Sequence, residues 1–198
     1  MANKSNNRTL IMDAVAKIIT NDGYGSVSMS QVAKLTGLSV ATAYNYFANK
    51  QDMIITTYHE ACERLNQYII DHVSKNGAPD VKLASYMHAI YDFSKIQPTT
   101  FLFTNSIFNS PINPEISQSD QWIDSIMQPW IKIARDGIQQ GYFRQMDPLT
   151  LIYLAYSNVS CFIVDTFNHN ISPDSTSIDE IIIIFLNGIQ NPKYINNH

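Results

Sequence analysis

Met29-Ser30-Gln31-Val32-Ala33-Lys34-Leu35-Thr36-Gly37-Leu38-Ser39-Val40-Ala41-Thr42-Ala43 is the stretch on which the reading of this 198-residue chain turns. Two short helices that meet at a corner need a small residue where their backbones cross, and Ala33 supplies it. Four positions later the corner needs a residue that tolerates a left-handed backbone, and Gly37 supplies that. Val32, Leu38 and Ala43 are apolar residues that lock the second helix onto the first, with Leu35 or a preceding helix covering the remainder. Ser28, with Gln31 three residues on, reads as a capping box for the first helix. Ser39 caps the second, which runs to about Tyr46. This is helix-turn-helix spacing, a geometry that can present the second helix to a major groove. Taken alone, Ala-x-x-x-Gly also fits an ordinary three-helix packing.

Working outward, the helical pattern continues in both directions. Leu10, Ile11, Ala14, Val15, Ile18 and Ile19 fall on one face of a helix that ends at Asn21-Asp22-Gly23-Tyr24-Gly25. Downstream, Asn49 can cap a fourth helix with Asp52 in its first turn. Ile54, Tyr58, Ala61, Leu65, Tyr68 and His72 follow at spacings of four and three, to about Ser74. Asn76-Gly77-Ala78-Pro79-Asp80 interrupts the chain. Beyond it, the spacing predicts helices at about 80–95, 98–109, 118–140, 147–168 and 176–190. Pro98, Pro111, Pro114, Gly141 and Pro173 punctuate them, Pro148 follows Asp147 at a first helical position, and Ser177 or Thr176 caps the last. Ser110–Ser117 and Asn168–Ser175 are the longest expected loops. With no persuasive strand and no internal repeat, the expectation is an all-α chain of about nine helices.

Composition narrows the class. Hydrophobic residues make up 45% and charged residues 15%, which excludes a disordered chain. Seven glycines argue against a turn-dense all-β fold or a glycine-rich nucleotide fold. Cys62 and Cys161 are too few for a disulfide framework or a four-Cys zinc site, and a reduced, cytoplasmic protein with both as buried small hydrophobes fits them best. Met1–Arg8 is polar and Asn-rich and does not read as a signal peptide. The apolar stretch Leu149–Val164 carries Thr150, Ser157, Asn158 and Ser160 and is shorter than a span of about 20 residues, so a buried helix and no membrane are expected. The net charge is −4 overall, but it is unevenly placed. Met1–Lys50 carries Lys4, Arg8, Lys17, Lys34 and Lys50 against Asp13 and Asp22, a net of +3, while the remainder carries −7. A basic front on an acidic body is the footprint of a nucleic-acid contact at one end.

The longer run Thr36-Gly37-Leu38-Ser39-Val40-Ala41-Thr42-Ala43-Tyr44-Asn45-Tyr46-Phe47-Ala48-Asn49-Lys50-Gln51-Asp52-Met53-Ile54 resembles the DNA-binding signature of the tetracycline-repressor-like (TetR) transcription regulators. The lead-in agrees: Arg8, Ile11, Ala14, Gly23-Tyr24, Ser28-Met29 and Val32-Ala33. The resemblance spans about 8–54. It departs at Ala43, where a larger aliphatic residue is common, and at Val40-Ala41, where polar residues or glycine often sit. It implies a three-helix DNA-binding domain at 1–50 and a helical ligand-binding and dimerisation domain at 51–198. It further implies a homodimer on a palindromic double-stranded operator, acting as a repressor released by a small organic ligand.

Within that frame residues take roles by their chemistry. Ser28 and the start of its helix can bind phosphate through hydroxyl and backbone N–H groups. Thr42 and Tyr44 offer hydroxyls to phosphates, where the resemblance places them, and Lys50 offers a point charge. Ser39, Val40, Ala41, Asn45 and Tyr46 are the groove candidates. Val40 and Ala41 can touch thymine methyls, and Asn45 or Tyr46 can bond to base edges or phosphates. Phe47 reads as core.

The rest of the chain offers weaker signals. His59-Glu60-Ala61-Cys62-Glu63 lacks the second His of a zinc pair and reads as a solvated helix face. His72, His88, His169 and His198 have no partners at ligand spacing, so neither a metal nor a cofactor is expected. No Gly-x-Ser-x-Gly elbow is present, and no catalytic residue is assigned. In the resembling family the later helices surround a ligand cavity. Tyr86, Tyr91, Phe101, Asn105, Phe108, Trp122, Met127 and Trp130 are the implied lining here, with Asp92, Asp124 and Arg135 able to orient a ligand. Leu151, Ile152, Leu154, Ala155, Val159, Ile163 and Ile181 through Leu186 make the last two helices apolar nearly all round. A helix apolar on several sides is buried on several sides, and a four-helix dimer interface accounts for it. An all-helical enzyme or binding module without DNA binding stays open, as does a regulator controlled by a protein partner.

Overall fold

Each helix start that the sequence marks with a polar side chain is closed by that side chain. Ser28 Oγ accepts the N–H of Gln31 at 3.1 Å, Ser39 Oγ that of Thr42 at 3.0 Å and Asn49 Oδ1 that of Asp52 at 2.9 Å. Asp147 Oδ2 accepts from Thr150 at 2.8 Å and Ser177 Oγ from Glu180 at 3.2 Å. Each bond satisfies one of the N–H groups that a helix start leaves without a partner. Only Ser177 completes the reciprocal box, its own N–H donating to Glu180 Oε2 at 2.7 Å. The box expected at Ser28 is half made, because Gln31 contributes its backbone alone.

The computed structural model describes residues 2–110, 121–172 and 174–192. Among them are nine α-helices: α1 Ala2–Asp22, α2 Met29–Thr36, α3 Val40–Tyr44, α4 Lys50–His72, α5 Pro79–Ile96, α6 Pro98–Phe108, α7 Gln121–Gln139, α8 Pro148–Phe167 and α9 Ile178–Ile189. The expected loop at Ser110–Ser117, with Pro111 and Pro114, and the breaker Pro173 lie outside the described residues, apart from Ser110. No strand occurs among the described residues; Phe143 and Gln190 form an isolated antiparallel bridge. α3 is shorter than the spacing predicts: it stops at Tyr44, and the turn after it brings Phe47 into the core.

By packing, the chain divides into two units. The first holds α1, α2, α3, α4 as far as Arg64, and α6. Ile11, Val15, Ile18, Val32, Ala43, Phe47, Met53, Ile54 and Tyr58 form its core together with Phe103 and Ile107 of α6. Tyr58 and Phe103 meet edge to face at 6.4 Å. Met12 is buried where Leu10 was expected to be, and Leu10 is exposed at the edge of the stripe.

The second unit holds α4 from Leu65, α5, α7, α8 and α9. α8 packs on α5, α7 and α9, burying Leu151, Ile152, Ala155, Val159, Phe162 and Ile163. The Trp130 indole N–H donates to Asn66 Oδ1 at 3.0 Å, and its ring lies 5.0 Å from that of Tyr86. Gly137 sits inside α7 because the Phe143 ring occupies the place of a side chain: a Cβ there would lie 2.2 Å from that ring. α8 has 20 residues, longer than the apolar stretch read from the sequence, and by length and composition alone it could cross a membrane. Of its most apolar 18 residues 39% are buried in the fold. Leu149, Tyr153, Leu154 and Phe167 of α8 and Ile183 and Ile184 of α9 are left exposed.

Candidate nucleic-acid interface

The corner between α2 and α3 is made by residues within a few positions of one another. Thr36 Oγ1 donates to the Val32 carbonyl at 2.8 Å, ending α2 on its own last turn. Gly37 then takes a left-handed backbone, φ 71°, which a side chain would strain. Ala33 and Ala43 are buried at the crossing, Val32 is fully buried and Leu38 half-buried. Leu35 does not help to cover this contact: it is 56% exposed, and α1 does the covering.

What the corner presents is α3. Val40 is 40% and Tyr44 54% exposed, and Ser39 and Ala41 are exposed beside them. Thr42 is half-buried, and its hydroxyl lies 2.8 Å from that of Ser39, so the two share a hydrogen bond. Asn45 and Tyr46 fall in the turn that follows, not on the helix. Asn45 is exposed, whereas Tyr46 is half-buried against the core of the first unit. Phe47 is buried, as its spacing implies.

In the chain, α2 precedes this helix and α4 follows it. Ser28 is half-buried at the start of α2, and the Ser30 hydroxyl lies 3.1 Å from its own. Ser30 is not among the residues expected from the sequence, although Ser28-x-Ser30 at a helix start is a legible pair of hydroxyls. Lys50 opens α4 with its ammonium 5.0 Å from the Tyr24 ring centre, a cation–π contact that holds it against the turn between α1 and α2. The start of α4 is tightened by the Ala48 N–H donating to Asp52 Oδ2 at 2.7 Å. Arg8, counted in the basic front, is ion-paired with Glu60 and lies over the Phe47 ring.

The remaining chemistry-bearing residues are otherwise engaged. Glu60 belongs to the Arg8 pair, and His59 beside it is half-buried rather than solvated. Burial holds the His59 pKa below its ordinary value, with Glu63 opposing. Burial pushes the Cys62 thiol up to about 12, so it stays protonated and unreactive. Cys161, expected buried, is exposed on α8, its thiol 3.5 Å from Asp165. Among the described residues no three His, Cys, Asp or Glu side chains gather where they could hold a metal ion.

The expected ligand lining falls into two sets. Phe101, Asn105 and Phe108 are on α6 in the first unit; Phe101 is fully buried, and Asn105 Oδ1 accepts from Asn109 at 3.1 Å. In the second unit Tyr86 and Trp130 are buried together, while Tyr91, Trp122 and Met127 are half-buried. Tyr91 has the Lys95 ammonium 3.9 Å from its ring centre. Asp92 and Arg135 are exposed, and the side chain of Asp124 lies outside the described residues. Asn66, the partner of Trp130, is a polar residue of this region that spacing could not reveal, since the two are far apart in sequence.

Comparison with known proteins agrees with the corner. Residues 11–56 match the family model for bacterial regulatory proteins, tetR family. The HTH-type transcriptional regulator BetI of Agrobacterium fabrum is 27% identical over 93 residues, 47% of this chain and 45% of BetI. The chain thus spans just under half the length of that relative. A TetR family transcription regulator from Marinobacter aquaeolei has the same fold, with a TM-score of 0.82 and 17% identity over 96% of this chain and 100% of that one. FadR of Bacillus subtilis, solved in complex with stearoyl-CoA, superposes with a TM-score of 0.75 at 19% identity, covering 92% of this chain and 99% of FadR. Residues 11–56 thus match the tetR family of bacterial regulatory proteins, and the chain as a whole shares the fold of solved TetR family regulators.

Proposed function

We propose that the chain is a DNA-binding transcription regulator, a cytoplasmic repressor that leaves its operator when a small molecule binds. Residues 1–50 are the reading head and 51–198 the ligand-binding and dimerisation part. The observation that carries this reading is the exposed face of α3, held out by the Gly37 corner, with Ser28 capping the helix before it and Lys50 opening the helix after it. Ser28, Thr42, Tyr44 and Lys50 meet phosphates; Ser39, Val40, Ala41, Asn45 and Tyr46 face the groove. The exposed Leu154, Ile183 and Ile184 support a homodimer through α8 and α9, which pairs two reading heads for a palindromic operator. Such an interface buries more than about 1,200 Å².

Stearoyl-CoA bound to Bacillus subtilis FadR makes a long-chain acyl-CoA the first small molecule to try. α4 begins at Lys50 and continues through both packing units, so a shift of it is a direct route from ligand to operator. Coupling of this kind amounts to about 5–150-fold in affinity and is reciprocal. The deciding experiment is duplex binding by the full chain against a scrambled competitor, repeated with Tyr44→Phe and Lys50→Ala. Retention of a defined duplex that both substitutions weaken supports the reading. Indifference to duplex DNA favours an all-helical binding module or enzyme instead.

A further inference from the structure

The side chains that α3 exposes limit which base pairs it can read. From Ser39 to Asn49 the chain holds no Arg, Lys, His, Asp, Glu or Gln. The fork that grips guanine O6 and N7 is therefore missing, and so is the carboxylate that accepts from cytosine N4. Of the small hydroxyls, Ser39 and Thr42 are bonded to each other at 2.8 Å, and Ser39 also accepts the Thr42 N–H. What remains exposed is the Val40 isopropyl group, the Ala41 methyl group, the Tyr44 phenol and the Asn45 amide. Methyl-bearing side chains match one feature of the major groove, the thymine C5-methyl group. An asparagine amide matches adenine, donating to N7 and accepting from the N6 amino group. Both complements belong to A·T pairs.

The geometry points to an operator whose half-site core is made of A·T pairs, thymine methyls packed on Val40 and Ala41 and an adenine held by Asn45. This rests on the DNA-binding reading and narrows it from duplex DNA to a base composition and a readout chemistry. Lys34 and Lys50 lie outside α3, at the end of α2 and the start of α4, and add charge toward phosphates without choosing a base.

The test starts from a random-sequence duplex library selected on the full chain. Expected is a symmetric consensus with A·T pairs at the centre of each half-site. In the selected duplex, each thymine is then replaced by deoxyuridine, which removes the methyl group and leaves the Watson–Crick bonds intact. Binding should weaken about fourfold for each methyl covered by protein. In Val40→Ser the thymine and deoxyuridine duplexes should bind alike at the position that Val40 covers, and Asn45→Ala should relax the choice of adenine. All these side chains are exposed, so the variants should keep the wild-type thermal midpoint. G·C pairs at the half-site centres would overturn the inference and leave DNA binding standing. An A·T consensus indifferent to deoxyuridine would overturn it too, since the protein would then be reading groove shape rather than methyl groups. If no duplex is retained even at low salt, the DNA-binding reading itself fails and takes this inference with it.

Discussion

The Arg8 guanidinium is paired with the Glu60 carboxylate and lies over the Phe47 ring, so one cation ties α1 to α4 and to the residue that closes the corner after α3. Both members of the pair are about one-third exposed, with side-chain accessibilities of 37% and 32%. Arg8 thus serves the packing of the first unit, while Lys34 sits in the last turn of α2 and Lys50 opens α4.

Arg8 and Lys50 should therefore fail differently. Arg8→Gln should lower stability by up to about 1 kcal/mol, the range of a partly exposed ion pair. It should leave the slope of log K against log salt unchanged. Lys50→Ala loses the Tyr24 contact, about 0.5–1 kcal/mol of stability, but it should also flatten that slope by about 0.9 for each phosphate no longer neutralised, near 1.8 for a dimer. Salt titrations of operator binding by both variants check this. A flattened slope in Arg8→Gln would mean that Arg8 reaches DNA after all.

Gly137 should resist even the smallest side chain. A Cβ placed there meets the Phe143 ring at 2.2 Å and Pro79 Cβ at 3.0 Å. Ala favours a helix interior over Gly by about 1 kcal/mol, so propensity alone would make Gly137→Ala stabilising. The overlap should win, with a net loss of about 1–3 kcal/mol typical of overpacked cores. Urea unfolding measures it, and trimming the ring in the Gly137→Ala, Phe143→Leu pair should recover part of the loss. A gain in stability for Gly137→Ala alone would show that the ring is free to move aside.

Acid should weaken the first unit through His59. Burial depresses its pKa below 6.5, with Glu63 opposing, so the folded chain holds that proton less readily than the unfolded one. The sign follows: the contribution is whole above 6.5 and is lost as pH falls from there through the folded-state value. His59→Gln should melt with a shallower pH dependence between about pH 7 and pH 5 than the wild type. Thermal melts across that window provide the comparison, and parallel curves would assign the acid sensitivity to other groups.

Ile184 should be a dimer residue. It is 68% exposed in a single chain, on an apolar helix whose other face is buried. Ile184→Asp, alone or with Leu154→Lys, should give a monomer by light scattering at micromolar concentration, with helix content unchanged. Operator affinity should fall with it, because a palindrome then meets one reading head at a time. A dimer that survives both substitutions would place the interface elsewhere.

The corner was legible before any coordinates because its causes are local. Ser28, Ser39, Asn49, Asp147 and Ser177 each close a helix through a bond to a residue three positions on, and Gly37 needs only its own backbone angle. Period and spacing report such things directly. They also say that a residue lies on an apolar face, but not which helix covers it. Hence Leu10 and Leu35 look like core and are exposed, while Phe103 and Ile107 of α6 turn out to complete the core of the first unit. The Arg8–Glu60 and Trp130–Asn66 pairs join residues more than fifty positions apart, and no short pattern encodes them. Chain folding brought those groups together, because burying each stripe required a particular neighbour among several apolar ones. Local hydrogen bonding had already set where the helices begin.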